Sequence, residues 1–184
     1  MKRVQQDSPL SFEEVKDMVE RAKPEVKELI AFLYLTGCRI SEALRVKVED
    51  VWLEGDDRAC FRIPILKTGK GGKHVIKVSR NAPFLGLILE KWRHKNVNNQ
   101  ITEPLFFFSS NLNSARVMAW RKIKKLNPRV YPHLFRHTRL TRLAEKGATA
   151  SQLQAWAGWE SIKMADIYVR RTARMIEDLA DKVD

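Results

Sequence analysis

The segment from Pro24 to Leu35 sets the strongest constraint on the fold. A proline suits the first position of a helix, and Gly37 suits the end of one, so the pattern predicts a helix over 24–36. Its apolar residues fall almost all the way round the helix, which indicates burial on every side. These residues are Val26, Leu29, Ile30, Phe32, Leu33 and Leu35. The rest of the chain is therefore expected to pack around this helix.

Short signals place the neighbouring segments. Ser11 and Glu14 form the S-x-x-E pattern of a capping box, which predicts a helix from there to about Ala22. Residues 1–10 before it are expected to form a flexible leader. After Gly37, a further short helix is expected from Ile40 to about Val46, with Glu42 in its first turn.

The periodicity then changes from helical to extended. Apolar runs at 51–53, 60–66 and 74–78, with a turn at 55–57, predict a small three-stranded antiparallel sheet. The sequence KTGKGGK over 67–73 joins the last two runs and predicts a flexible, cationic hairpin tip. Helical patterns resume at Pro83 and continue toward the end of the chain, interrupted by a polar loop at 96–102 and a short buried strand or extended segment at 104–108. The expected fold class is α+β, mostly α-helical.

Composition narrows the class of partner. The chain has 34 Lys and Arg against 22 Asp and Glu, a net charge of +12. The excess is uneven, with ten basic residues and one acid from Arg116 to Lys146. Such a basic face favours a polyanionic partner, with nucleic acid ahead of an anionic membrane.

Other features of the composition argue against several classes of protein. No apolar run approaches the roughly 18–20 residues that a membrane span needs, and the N-terminus lacks the apolar region of a secretory signal. We therefore expect a cytoplasmic protein. Cys38 and Cys60 fit neither a disulfide framework nor a metal-ligand spacing, and we expect them to fill the core.

Several residues point to phosphate chemistry. Pro132 is predicted to start a helix that carries His133 and Arg136. These two residues are three positions apart, so on that helix they share one face. Arginine matches phosphate oxygens with two donors, and histidine can donate or move a proton near neutral pH. This pattern is short, so taken alone it is better explained by a capping histidine beside a solvated arginine.

The remaining candidates are separated along the chain. Arg39 follows Gly37, and Glu42 three residues later is placed to orient it. Lys67 can protonate a leaving oxygen, and Tyr168 can attack a phosphodiester if cations surround its phenol, whose ordinary pKa is about 10. Each residue also has a plainer interpretation: a surface ion pair, a turn lysine or a packing tyrosine.

Together and in this order, these motifs resemble the catalytic domain of the tyrosine recombinase, or phage integrase, family over about residues 11–170. The resemblance rests on TGCRISEAL, the strand with its lysine hairpin, HLFRHT, AGW and IY. It implies six catalytic residues, with Tyr168 as the nucleophile: Arg39, Lys67, His133, Arg136, Trp159 and Tyr168. Glu42 and His137 would support them. Lys70 is a rival to Lys67. Trp159 stands where the family more often has histidine, and an indole donates a hydrogen bond but cannot take a proton.

The family's reaction implies that this chain cleaves and rejoins duplex DNA through a 3′-phosphotyrosyl intermediate, with no metal, no cofactor and no ATP. Candidate DNA contacts are Lys70, Lys73, Arg116, Arg121, Lys122, Lys124, Lys125, Arg139 and Arg142. The resemblance implies a homotetramer on DNA, whereas the free protein can be a monomer.

Two expectations concern the ends of the chain. A helical tail over 171–184 carries an apolar stripe at Met175, Ile176 and Leu179, which can dock on a neighbouring subunit or on its own domain. The helical core-binding domain that usually precedes the catalytic domain is expected to be absent.

Three other readings stay open. A type IB topoisomerase uses the same kind of nucleophile but relaxes DNA as a monomer. A DNA-binding module without catalysis is a second alternative, and a basic structural protein ranks last.

Overall fold

A computed structural model describes residues 8–66 and 72–180, with side chains described up to residue 173. Lys67, Lys70 and the side chains of the predicted stripe at Met175, Ile176 and Leu179 lie outside this description. The elements run in the order α1 Phe12–Arg21, α2 Pro24–Thr36, α3 Ile40–Ala43, β1 Val51–Glu54, β2 Arg58–Pro64, β3 Lys73–Ser79, α4 Leu85–Val97, α5 Leu112–Leu126, α6 Leu134–Glu145, α7 Ala150–Ala157 and α8 Lys163–Ala180. The predicted α+β class, mostly helical with one small sheet, is confirmed.

Helix α2 is the centre of the fold. From Leu29 to Thr36 every residue is buried, as the all-round apolar pattern predicts. The ring of Phe32 packs edge-on against Phe61 of the sheet, with 5.2 Å between centroids, and also contacts Phe106 at 5.1 Å. Gly37 ends the helix in the left-handed conformation at φ 66°. The helix end therefore has a fixed place, directly before Arg39.

The three strands form one antiparallel sheet in the order β1-β2-β3. Val51 pairs with Phe61 at one end of the first pair, and Ile63 pairs with His74 in the second. The amide of Ile65 donates to the carbonyl of Gly72 at 2.7 Å, which closes the base of the predicted hairpin. Strands β2 and β3 are thus paired up to the two residues that flank the segment 67–71.

The segment before α1 differs from the prediction in its described part. Residues 8–10 do not form a loose leader, because two arginines from distant elements hold their carbonyls. Arg129 donates to Ser8 O at 2.8 Å, and Arg142 donates to Leu10 O at 2.9 Å. Leu10 is buried, and its amide donates to Thr138 Oγ1 at 2.9 Å. The predicted capping box of Ser11 and Glu14 is present.

Two helix predictions need changing. The helix after Arg39 covers only Ile40–Ala43, and the chain turns before Val46. At the other end, the turn predicted to carry Tyr168 and the predicted tail helix are one continuous helix, α8, over Lys163–Ala180. Within the described chain, no helix combines the length and apolarity that crossing a membrane requires.

Candidate active site

Arg136 lies at the centre of the candidate site and is almost fully buried. Its Nη1 donates to Gly37 O at 3.3 Å, and its Nη2 donates to Ala157 O at 2.6 Å. Gly37 follows the last turn of α2, and Ala157 ends α7, so two helix C-termini hold one guanidinium. Helix C-terminal carbonyls carry partial negative charge, which stabilises the buried cation. Burial lowers the pKa of Arg136, and nearby Arg39 lowers it further, yet an arginine stays protonated.

Arg39 and Glu42 form an ion pair beside this group. Arg39 Nη1 donates to Glu42 Oε1 at 2.7 Å, and the Arg39 amide donates to Glu42 Oε2 at 2.7 Å. Glu42 is 2% exposed, so its carboxylate holds both the backbone and the side chain of Arg39. The predicted orienting role of Glu42 matches this geometry.

His133 does not share a helix face with Arg136. The residue precedes the first turn of α6 and has φ −103° and ψ 0°, because the helix begins at Leu134 and not at Pro132. His133 is exposed and lines a cavity of about 630 Å³ together with Arg39, Arg116 and Trp120. The cavity places His133 and Arg39 on the rim of the same concave surface.

Trp159 and Tyr168 stack beside Arg136. Their ring centroids are 5.9 Å apart with an interplanar angle of 29°, and the Arg136 guanidinium carbon lies 5.2 Å from the Trp159 centroid. The ring of His137 lies 5.6 Å from that of Tyr168. Gly158, in the left-handed conformation at φ 64°, turns the chain from α7 toward Trp159. The predicted nucleophile is thus next to Arg136 of its own chain.

Burial raises the pKa of Tyr168, and the positive charge of Arg136 opposes that rise. The phenol is therefore protonated near neutral pH. An attack on phosphorus then requires a group that takes the phenolic proton as the bond forms.

Some predicted DNA contacts have partners inside the protein. Lys73 pairs with the buried Asp50 at 2.8 Å, and Lys122 pairs with Glu25 at 2.8 Å. Arg139 stacks on Trp156, with its guanidinium carbon 4.7 Å from the ring centroid, while Arg142 lies 5.2 Å from the ring of Tyr34.

The basic residues separate into two surfaces. Arg139 and Arg142 line a second cavity, of about 830 Å³, which does not include Arg39 or His133. Arg116, Arg121, Lys124 and Lys125 are exposed along α5, and Arg116 also lines the cavity of Arg39. The structure therefore brings α5, but not Arg139 and Arg142, to the surface that bears His133.

Two residues of the site carry no motif in the sequence. Trp156 donates its indole N–H to Thr36 O at 2.8 Å, which ties α7 to the end of α2. His74 of β3 packs against Gly158. Its position one residue after Lys73, at the base of the lysine hairpin, is the one signal that points to it. Among the described residues, no cluster of three or more His, Cys, Asp or Glu could hold a metal ion.

Comparison with known proteins places this site in a family. The model of the phage integrase family matches residues 9–175, which is most of the chain. The chain belongs to the phage integrase family, as the resemblance of its motifs predicted.

Relatives and solved structures agree with this assignment. The chain is 26% identical over 186 residues to tyrosine recombinase XerA of Pyrococcus furiosus, covering 95% of this chain and 61% of that protein. It is 30% identical over 165 residues to tyrosine recombinase XerD of Corynebacterium glutamicum, covering 83% of this chain and 50% of that protein. A crystal structure of XerA recombinase has the same fold, with a TM-score of 0.71 at 20% identity over 94% of this chain and 65% of the other. The chain thus spans between half and two thirds of the length of these proteins.

Proposed function

We propose that this chain is the catalytic part of a site-specific recombinase that cleaves and rejoins duplex DNA through a 3′-phosphotyrosyl intermediate. The observation that carries the proposal is the position of Tyr168, stacked on Trp159 beside the buried Arg136. A nucleophilic phenol next to a fixed guanidinium is suited to attack on a phosphodiester, because the cation stabilises charge that develops on the phosphate oxygens. Relatives named tyrosine recombinase support the assignment.

The proposed reaction exchanges one phosphodiester bond for another. The Tyr168 oxygen attacks phosphorus, the bond from phosphorus to the 5′ oxygen breaks, and the 3′ phosphate stays on the tyrosine. His133 accepts the phenolic proton. Lys67 donates a proton to the leaving 5′ oxygen, with Lys70 as the rival donor. Reversal with another 5′ hydroxyl rejoins the strand, so the step needs no ATP, metal or other cofactor.

The two arginines and Trp159 have distinct parts in this scheme. Arg39 and Arg136 neutralise the non-bridging oxygens, and the Trp159 indole donates a hydrogen bond to one of them. Arg136 has two donors occupied by carbonyls and further N–H groups available in its fork, so it can bind phosphate without leaving its site. Glu42 holds Arg39 in place, and the ring of His137 supports Tyr168 at 5.6 Å between centroids.

Duplex DNA is the proposed partner. A solved structure of the XerH site-specific recombinase is bound to its difH substrate, and one of the Tn1549 transposon integrase is in complex with transposon right end DNA. Both share this fold, with TM-scores of 0.62. The exposed basic residues Arg116, Arg121, Lys124 and Lys125 on α5 are suited to contact the DNA backbone, since such contacts position a duplex without reading its sequence.

Assembly and location are part of the same proposal. We propose a homotetramer on DNA, with the stripe of the 171–184 tail docked on the chain's own domain or on a neighbour. The proposed location is the cytoplasm. Residues 11–170 form the proposed catalytic domain.

A nicked suicide substrate tests the proposal. Because the nick lets a short strand diffuse away after cleavage, the covalent protein–DNA adduct accumulates and can be counted on a denaturing gel. The chain should form the adduct without added metal, and Tyr168→Phe should form none. Adduct with Tyr168→Phe would disprove the assigned nucleophile. Relaxation of supercoiled plasmid without recombinant products would favour the topoisomerase alternative.

A further inference from the structure

His74 packs against the turn at Gly158, next to the Ala157 carbonyl that accepts a hydrogen bond from Arg136. It belongs to β3, where it pairs with Ile63 two residues from the base of the hairpin. Its imidazole packs on the turn at Gly158: a Cβ on that glycine would lie 3.0 Å from His74 Nδ1 and 3.2 Å from Cε1. Only a glycine leaves room for the ring at this distance, and the backbone there has φ 64°.

The turn at Gly158, which His74 contacts, also holds two groups of the site. Directly before it, Ala157 O accepts from Arg136 at 2.6 Å. Directly after it, Trp159 stacks on Tyr168. The imidazole therefore packs on the residue that joins the carbonyl bound by Arg136 to the neighbour of the nucleophile.

Nδ1 of His74 is buried, and no described residue hydrogen-bonds to it. Protonation of the imidazole would therefore place a positive charge among buried groups close to Arg136, a costly arrangement away from water.

We propose that His74 is a positioning residue: in its neutral form it holds strand β3 against the Gly158 turn, so that Arg136 and Trp159 keep the places from which they bind the scissile phosphate. This inference rests on the proposed recombinase function and adds a residue to its site. Displacing a reacting group by about 1 Å can cost about 100-fold in rate, so the contact matters although His74 touches no reacting atom.

The surroundings of His74 set the sign of its pH dependence. Burial lowers the pKa of His74, and Arg136 from α6 lowers it further, while Glu42 from α3 and the Trp156 backbone from α7 raise it. The net shift is downward, so the ring is neutral at pH 7. Protonation at a pH below the ordinary histidine range, about 6.5, would repel Arg136 and loosen the turn. Adduct formation should fall there.

Single-turnover adduct formation on the nicked substrate tests the inference, with DNA affinity measured in parallel. His74→Ala should lower the rate about 100-fold at pH 8 and leave the DNA affinity within about twofold, because the contact lies behind the phosphate-binding groups. His74→Gln keeps a polar side chain of similar length but does not titrate. It should retain most of the rate at pH 8 and lose the part of the acid decline that belongs to His74.

The control is His94→Gln, an exposed histidine on α4, which should keep the rate and the pH profile of the unmodified chain. Equal rates and profiles for the chain and His74→Ala would overturn the inference, as would an acid decline that His74→Gln leaves unchanged. A chain that forms no adduct at any pH disproves the proposed function itself, and that outcome is separate from any effect of His74.

Discussion

Gly37→Ala tests how closely the fold holds the active site. The glycine has φ 66°, and a Cβ there would lie 2.8 Å from Cβ and 3.2 Å from Cγ of Arg139. Cβ of Arg139 is attached to the backbone of α6, so it cannot turn aside as a flexible side-chain end could. The alanine can be accommodated only if α2 and α6 move apart, and these are the helices that carry Gly37 O and Arg136.

The expected cost has two parts. A left-handed backbone costs a residue other than glycine about 1–2 kcal/mol, and overpacking a tight contact costs about 1–3 kcal/mol. The free energy of unfolding should therefore fall by roughly 2–5 kcal/mol, a large share of the 5–15 kcal/mol typical of a domain. Adduct formation should fall with it, because Arg136 loses its carbonyl at Gly37.

Alanine substitutions at two other glycines distinguish the backbone cost from the packing cost. Gly147 has φ 85° but open space around its Cβ position, so Gly147→Ala should cost only the backbone part, about 1–2 kcal/mol. Gly86 is the second residue of α4 and has nothing near its Cβ position, so Gly86→Ala should stabilise by about 0.5 kcal/mol. Urea unfolding followed by circular dichroism measures all three. A loss at Gly37 no larger than that at Gly147 would refute the contact argument.

Two further predictions concern charge. Arg129 donates to both carboxylate oxygens of Glu14, at 2.9 and 3.0 Å, and to the carbonyl of Ser8. Burial raises the pKa of Glu14. The hydrogen bonds from Arg129 and Ser11 outweigh this effect and hold the pKa of Glu14 below its usual value. Arg129→Ala should cost about 1–2 kcal/mol at pH 7, since the pair is partly exposed. A lowered glutamate pKa stabilises the fold above the ordinary glutamate value, about pH 4.3, and that stabilisation is lost as the pH falls through the pKa in the folded state. The urea midpoints of the unmodified chain and Arg129→Ala should therefore converge toward pH 3. A constant difference between the two midpoints would contradict this. DNA affinity should fall steeply between 50 and 200 mM salt. Lys125→Ala on α5 should reduce the slope of log affinity against log salt concentration by about 1, whereas the control Lys16→Ala, at an exposed position of α1, should leave that slope unchanged. Equal slopes for the two variants would refute the assignment of α5 as the DNA-binding surface.

Local signals in the sequence predicted much of the fold. The apolar circumference of α2, its terminal Gly37 and the capping box at Ser11 each depend on residues within a few positions of one another, so they can be read without tertiary information. The strands and the hairpin base were predicted on the same grounds. The family resemblance supplied the grouping of Arg39, Arg136, Trp159 and Tyr168, which spans more than a hundred residues.

The features that the sequence could not show depend on contacts between residues that are far apart along the chain. Arg139 and Arg142 are predicted DNA contacts on the basis of their charge, and the sequence could not show that their guanidinium groups lie over the rings of Trp156 and Tyr34. Residues 8–10 looked flexible because the arginine that holds Ser8 comes 121 positions later. His133 was placed on the helix because Pro132 suits a first helical position, whereas the helix begins two residues further on.

The two arginines of the site are neutralised to different degrees. Arg39 faces a full carboxylate, so part of its attraction for phosphate is already cancelled by Glu42. Arg136 hydrogen-bonds to carbonyls at two helix ends, at Gly37 and Ala157, and interacts with Glu42 only through space, so more of its charge remains available to an incoming anion. A lysine at position 136 would carry the same charge on a single nitrogen, and it could not span two carbonyls and a phosphate at once. The site thus requires the planar, forked shape of a guanidinium as well as its positive charge.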